Sequence, residues 1–219
     1  MDRIPEDEIM DDWEQARAYA QADFSDANSL FVELLIDKFP LFQNGRVVDL
    51  GCGPADVLIR LCAALPAVRA LGVDGSQAMI ELAQRAVAKA ELQDRIELIC
   101  ADALGLSELH GKLDAVLSNS LLHHLPDPIA FWRQCSNLAR PQAPLLVMDL
   151  IRPQSPDAAR QIVERCAAHD PEILQRDFYN SLLAAYTIDE VRGQLADAGL
   201  EHVEVAKVSD RHLAAWRVA

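Results

Sequence analysis

Residues 47–56 read VVDLGCGPAD, an apolar run that ends in an acid and is followed by two glycines separated by one cysteine. Such a run is typical of a buried β-strand, and glycines let the backbone turn tightly and approach a ligand closely. Pro54 suits the first turn of a helix, and the apolar residues that follow recur at helical spacing. The stretch therefore predicts a strand, a glycine turn and a helix, which together begin a βαβ unit.

The same rhythm continues along the chain. Apolar runs predict strands at 46–50, 69–74, 95–100, 113–118 and 144–150, with helical patterns between them. Ser76 is a predicted N-cap, and a further helix is predicted to begin near Asp127 and Pro128. A helix capped by Thr187 and closed by Gly199 precedes two last strands, 202–208 and 212–218, which are predicted to form an antiparallel hairpin. Alternating strands and helices predict an α/β fold with a mostly parallel sheet.

Two regions lie outside this alternation. Residues 1–40 are predicted to hold two helices, around Asp11–Ala22 and Asn28–Phe39, and residues 152–185 are predicted to be helical. We interpret both as lids over a single domain spanning 1–219. In that domain, residues 45–150 form the cofactor-binding half, and residues 186–219 form the last helix and the hairpin.

The amino-acid composition disfavours several classes of binding partner. The 219 residues carry a formal net charge of -14, which disfavours binding to nucleic acid or to an anionic membrane. No signal peptide and no apolar run of membrane-spanning length is recognised. Five scattered cysteines without metal-ligand spacing indicate reduced thiols in a cytoplasmic protein without a metal site. The sequence leaves open whether the chain forms a homodimer.

Acidic residues follow three successive predicted strands. Asp74 lies 21 residues after Gly53, where a carboxylate can accept hydrogen bonds from ribose hydroxyls. Asp102 follows the next strand and could accept a hydrogen bond from an exocyclic amine. Asp49, which precedes the glycines, would repel a pyrophosphate and attract an ammonium. The set fits adenosine joined to methionine better than a dinucleotide.

Four ordered motifs carry a resemblance to a known family: VVDLGCGPAD, GVDGSQAMI, CADAL and SNSLLHHLPDP. Over residues 45–150 the chain resembles class I S-adenosylmethionine-dependent methyltransferases, and in particular the small-molecule group that includes quinone-biosynthesis methyltransferases. The resemblance implies a Rossmann-like, seven-stranded sheet with an antiparallel final strand and helices on both faces. It also implies S-adenosyl-L-methionine as cofactor, S-adenosyl-L-homocysteine as product and a small-molecule methyl acceptor.

Carried over by position, the resemblance implies roles for individual residues. Asp49, Gly51 and Gly53 would surround the methionine part, and Asp74 would bind the ribose. The other implied cofactor residues are Met79 against adenine, Asp102 and the Ala103 amide at the adenine edge, Asn119 beneath the sulfonium, and Gly75 and Tyr19. Ala55 departs from the pattern, because the family often has a third glycine at that position.

The sequence identifies the methyl acceptor and the catalytic groups less clearly than the cofactor, because displacement at a sulfonium needs mainly alignment of the reacting atoms and exclusion of water. His123 and His124 follow the fourth strand, where an imidazole could take a proton from a hydroxyl, thiol or amine. The alternative interpretation, which we favour, is that the pair holds the shape of its loop.

Two other functions remain open at this level. One is methylation of a protein or nucleic acid, which the acidic charge and the absence of an Asp/Asn-Pro-Pro-aromatic motif disfavour. The other is nucleotide binding without methyl transfer, as in an NAD-type oxidoreductase. Asp56 stands at the third glycine position of that motif, which disfavours a dinucleotide.

Overall fold

The computed structural model describes residues 1–6 and 12–217 of the chain. A seven-stranded sheet with the order β3-β2-β1-β4-β5-β7-β6 forms its centre. The strands are β1 Asn44–Leu50, β2 Ala67–Asp74, β3 Ile96–Cys100, β4 Ala115–Asn119, β5 Leu145–Leu150, β6 Val203–Lys207 and β7 His212–Arg217. The first five strands pair in parallel, whereas β7 pairs antiparallel with both β5 and β6. The predicted sheet with its reversed final strand is therefore confirmed.

Eight α-helices connect and flank these strands in the described part of the chain. They are α1 Trp13–Gln21, α2 Ser25–Lys38, α3 Asp56–Ala64, α4 Gln77–Lys89, α5 Pro128–Leu138, α6 Pro156–Cys166, α7 Glu172–Ala184 and α8 Ile188–Asp197. Helices were predicted at all of these places, although Asp11, the predicted start of α1, lies outside the described residues. No helix among residues 1–6 and 12–217 is long and apolar enough to cross a bilayer.

Helix starts follow the side chains that cap them. The Ser76 hydroxyl accepts from the Met79 amide, and the Asp127 carboxylate accepts from the Ala130 amide. Thr187 and Glu190 form a reciprocal capping box at α8. These local bonds satisfy the free amides of a helix N-terminus, which is why single residues predicted the starts correctly.

The start of α3 differs from the prediction. Pro54 lies before the helix, which begins at Asp56, and Ala55 at the N-cap has a φ of 67°. That left-handed conformation is costly for any residue with a β-carbon. The third-glycine position therefore requires a backbone shape that glycine adopts without strain, and this chain places an alanine there, fully buried.

Helices cover both faces of the sheet, so β1, β4 and β5 are buried along most of their length. One face packs against α5 and α8, where Trp132 is fully buried and donates to Gln194 at 3.0 Å. The other packs against α2 and α3 through Phe31 and Leu58. Burial on both faces fixes the sheet and leaves the carboxyl ends of its strands as the edge where a ligand can bind.

Candidate active site

The carboxyl ends of β1 and β2 are joined by hydrogen bonds from the glycine turn. The Gly53 amide donates to Asp74 Oδ2 at 2.8 Å, and the Ser76 amide donates to Asp74 Oδ1 at 2.9 Å. The amides of Gly51 and Cys52 donate to the Val73 carbonyl. Asp74 therefore holds the turn after β1 against the turn after β2, and a carboxylate retains lone pairs for further donors.

Both glycines of the turn need to be glycine. Gly51 has a φ of 74° and Gly53 a φ of 50°, which are left-handed values. A β-carbon at Gly51 would stand 3.0 Å from the Leu121 side chain, so the loop after β4 lies directly against this turn. A side chain at Gly51 would therefore add steric conflict to backbone strain.

A cavity of about 460 Å³ opens beside the turn, within the range of small-molecule sites. It lies between the β-strand ends and the loop from α1 to α2. Five of the predicted cofactor residues line it, namely Tyr19, Asp49, Gly51, Gly53 and Asn119. The N-terminal helices, which the sequence predicted as a lid, thus cover the site.

Asp49 is the most perturbed carboxyl group in the cavity. Its side chain is buried, and its Oδ1 has no hydrogen-bond partner. Burial, followed by the charge of Asp74, raises the pKa of Asp49 to about 7. Asn119 Oδ1 is a second buried acceptor without a partner. Two unsatisfied acceptors in one cavity are costly unless a donor fills the space between them.

Tyr19 covers the cavity from α1. Its ring lies 4.7 Å from that of Phe24, and burial, followed by the charges of Asp74 and Asp149, raises the pKa of Tyr19 to about 12. The tyrosine therefore stands near the ends of both β2 and β5. A half-buried, neutral phenol is suited to exclude water and to donate one hydrogen bond.

Asn28 is a cavity residue that the sequence did not single out. Its amide donates to Asp56 at 2.8 Å, and its carbonyl oxygen accepts from Asn119 at 3.1 Å. Asp56 also binds Arg60 at 2.6 Å, so α2, α3 and the end of β4 form one polar network. No spacing rule marks a single asparagine on an amphipathic helix, because its partners are 28 and 91 residues away.

The other five predicted cofactor residues, Asp74 among them, do not line this cavity. Gly75 and Asp102 are exposed, and Asp102 accepts from the Leu104 amide at 2.9 Å. Ala103 is half-buried in the same turn, and Met79 is buried against Ala16 of α1. All five lie at or after the carboxyl ends of β2 and β3, at the same edge of the sheet as the cavity.

His123 is buried and bound to the end of β5. Its Nδ1 lies 2.6 Å from Asp149 Oδ1, and its amide donates to Asp149 Oδ2 at 3.3 Å. Burial would raise the pKa of Asp149, but the charge and hydrogen bond of His123 outweigh it and hold that pKa below its ordinary value. Because an ionised carboxylate can only accept, Nδ1 carries the proton.

His124 faces the N-terminal segment. Its Nδ1 lies 3.8 Å from Glu6 Oε2, and its ring centroid lies 4.0 Å from that of His123, with the two rings tilted by 40°. Burial, followed by the charge of His123, lowers the pKa of His124 to about 3. The segment itself is held by Arg3, which donates to the carbonyls of His123 and Ala184.

Known methyltransferases are similar to this chain. A family model for the methyltransferase domain matches residues 47–142. The 27-O-demethylrifamycin SV methyltransferase of Amycolatopsis mediterranei is 28% identical over 198 residues, which cover 90% of this chain and 69% of that protein. The chain therefore carries a methyltransferase domain over residues 47–142 and is similar along most of its length to a methyltransferase. The resemblance to methyltransferases drawn from the four motifs is confirmed, and S-adenosylmethionine is the cofactor that this resemblance implies.

Other relatives of this methyltransferase agree in family and fold. The demethylmenaquinone methyltransferase of Lactiplantibacillus plantarum is 31% identical over 117 residues, 53% of this chain and 49% of that protein. A solved structure of a putative S-adenosylmethionine-dependent methyltransferase from Methanococcus maripaludis has a TM-score of 0.74 at 16% identity, covering 99% and 98% of the two chains. The chain spans between 35% and 69% of the length of its curated relatives.

The residues of this methyltransferase fit the cofactor. An α-ammonium has three donors, and the unpartnered oxygens of Asp49 and Asn119 are two buried acceptors in the cavity. The charge of Asp49 opposes that of the ammonium, which offsets the cost of its burial. A pyrophosphate offers no donor to these oxygens and would add negative charge beside Asp49 and Asp74. The site therefore suits an amino-acid end and not a dinucleotide.

Proposed function

We propose that this methyltransferase transfers the methyl group of S-adenosylmethionine to a small organic acceptor by in-line displacement. The observation that carries the proposal is the pair of buried, unpartnered oxygens of Asp49 and Asn119 in a cavity closed by the N-terminal helices. When bound, the cofactor supplies a methyl carbon on a positively charged sulfonium. The protein has to hold that end of the cofactor and shield it from water.

The chain supplies these functions from separate elements. Asp49 and Asn119 bind the amino-acid end, and the Gly51–Gly53 turn lets the backbone approach closely. Asp74 holds the turn and accepts from the ribose, while Met79, Asp102 and the Ala103 amide surround the adenine, with Gly75 between them. Tyr19 covers the methionine end and keeps bulk water out.

The acceptor side of the proposed site is enclosed by the chain itself. Residues 1–6 run over α7 and the loop after β4, with Ile4 donating from its amide to the Leu183 carbonyl. The Arg3 guanidinium lies 4.2 Å from the centre of the Tyr186 ring and donates to the carbonyls of Ala184 and His123. Because the N-terminal segment covers the acceptor side, a small-molecule acceptor is favoured over a macromolecule. The net charge of -14 also disfavours a nucleic acid. A cytoplasmic location stays a prediction.

His123 and His124 remain the candidate proton acceptors for a hydroxyl, thiol or amine. The bond of His123 to buried Asp149 supports the alternative that this histidine holds the loop after β4 to β5. The low pKa of His124 keeps its imidazole neutral at pH 7 but also makes it a weak base, which disfavours His124 as the proton acceptor.

A labelled-cofactor screen tests the function directly. The protein is incubated with isotopically labelled S-adenosylmethionine and a panel of hydroxylated, thiol, amine and carbon-nucleophile acceptors, and products are identified by mass spectrometry. Label transfer to a small molecule is the expected result. Failure to bind S-adenosylhomocysteine in calorimetry would remove the proposal, and transfer only to protein or nucleic acid would redirect it.

Replacing Asp74 by Ala should weaken S-adenosylhomocysteine binding by roughly 1 to 3 kcal/mol, or about 5- to 150-fold. The substitution removes the ribose acceptor and strands the amides of Gly53 and Ser76. Isothermal titration calorimetry measures the change. The matched control is Asp37→Ala, whose side chain is 73% exposed at the far end of α2. Equal affinities for the two variants would contradict the assigned site.

A further inference from the structure

Glu6, His123 and His124 meet beneath the N-terminal segment. One possible ligand atom from each side chain lies within 4.8 Å of the other two. Among residues 1–6 and 12–217, this is the group of three His, Cys, Asp or Glu side chains close enough to share a metal ion. We propose that these three side chains bind one divalent transition-metal ion such as Zn²⁺. Two imidazoles and one carboxylate form the ligand set of catalytic zinc sites, which keep a further position open.

The distances are compatible with a shared ion. Zinc lies about 2.0 to 2.2 Å from nitrogen and oxygen ligands, so two ligand atoms of one ion are at most about 4.4 Å apart. Glu6 Oε2 and His124 Nδ1 are separated by 3.8 Å, too far for a hydrogen bond and close enough for this purpose. His124 Nδ1 is buried and has no hydrogen-bond partner. Ligand atoms of a tetrahedral zinc are about 3.3 to 3.6 Å apart, so side-chain rotation on binding would draw the most distant pair together by roughly 1 Å.

Asp149 provides a second, independent feature of metal sites. A ligating histidine almost always donates its other ring N–H to a carboxylate or carbonyl, which fixes the tautomer and the ring orientation. His123 Nδ1 is held by Asp149 Oδ1 at 2.6 Å, and this leaves Nε2 as the nitrogen for an ion. Ser181 Oγ donates to Glu6 Oε2 at 3.1 Å and orients the carboxylate in the same way.

The position of the cluster suggests what the ion does. His123 and His124 follow β4, whose last residue Asn119 lines the cofactor cavity, and Glu6 comes from the segment that covers the acceptor side. An ion would tie that segment to the loop and leave a position for an acceptor oxygen. A bound cation lowers the pKa of such a hydroxyl, so its proton can leave to solvent without an imidazole base. This role rests on the proposed methyl transfer, but binding of the ion does not.

Cobalt titration of the full chain tests the site without any activity assay. The chain is first treated with a chelator and dialysed, and Co²⁺ is then added while visible absorption is recorded. We expect one ion per chain, with visible bands typical of nitrogen and oxygen ligands and without the near-ultraviolet band of a cobalt–thiolate bond. Zn²⁺ should displace the cobalt. Absence of stoichiometric binding would overturn the proposal, and so would a thiolate band, because Cys100 and Cys166 are exposed.

Variants of the ligands locate the ion. Glu6→Gln and His124→Gln should each raise the dissociation constant for Co²⁺ at least tenfold. His169→Gln, at an exposed position between α6 and α7, should leave it unchanged. Glu6 lies in the covering segment outside the sheet and its helices, so its variant keeps the test valid if His124→Gln fails to fold. Unchanged affinity in Glu6→Gln would overturn the proposal.

The same samples separate this proposal from the proposed function. Calorimetry with S-adenosylhomocysteine is performed on the metal-free chain and on the cobalt-loaded chain. Cofactor binding without cobalt binding removes the metal site alone, whereas absence of cofactor binding removes the proposed methyl transfer whatever the cobalt result.

Discussion

Asp149→Ala should lower the free energy of unfolding by about 3 to 5 kcal/mol, which is the usual cost of removing one partner of a buried ionic pair. The carboxylate accepts from His123 Nδ1 at 2.6 Å, from the His123 amide at 3.3 Å and from its neighbour Leu150 at 2.6 Å. Both side chains of the pair are 3% exposed, so water cannot replace the lost acceptor. Urea unfolding followed by far-ultraviolet circular dichroism measures the change.

The control for this experiment is an exposed acid with a similar partner. Asp157 binds Arg160 at 2.8 Å on the surface of α6, with 80% of its side chain exposed, and Asp157→Ala should cost less than about 1 kcal/mol. A loss below 1 kcal/mol for Asp149→Ala would show that the pair with His123 contributes little. The loop after β4 would then be held by its other contacts, which include the buried Leu122 and the bond from Arg3 to the His123 carbonyl.

Features set by neighbouring residues were predictable from the sequence. Ser76, Asp127 and Thr187 cap helices through bonds that reach three residues ahead, so their effect is visible in any short window. Continuous apolar runs predicted strands buried on both faces, because only helices on both sides allow that burial. The sheet and its hairpin therefore followed from local patterns.

The parts that were missed depend on contacts between distant residues. Glu6 reaches His124 across 118 positions, and the Asn28 bond to Asn119 spans 91. No spacing in the sequence connects such residues, so the sequence alone could not bring them together. Ala55 is another case, because its left-handed backbone comes from the turn that precedes it and not from its own preference.

Affinity for S-adenosylhomocysteine should fall about 100-fold between pH 7 and pH 5. Asp49 has a pKa of about 7 in the free protein, raised by burial and then by Asp74, so below pH 7 it is mostly protonated. Pairing with the α-ammonium requires the ionised carboxylate. Each pH unit below 7 therefore costs about tenfold in affinity, or 1.36 kcal/mol. The affinity falls with falling pH because the pKa of Asp49 is raised: the proton that Asp49 holds in the free protein must leave when the ammonium binds.

Asp49→Asn isolates this carboxylate from other groups. The amide keeps the size of the side chain, so the variant should bind more weakly at pH 7 and show no pH dependence between 5 and 7. Burial raises the pKa values of Cys52 and Tyr19 above their ordinary values, so neither titrates in this range. Above pH 7 the affinity should level off, then decline as the cofactor ammonium loses its proton near pH 8. A wild-type profile that is flat from 5 to 7 would mean that the buried oxygen of Asp49 does not receive the ammonium.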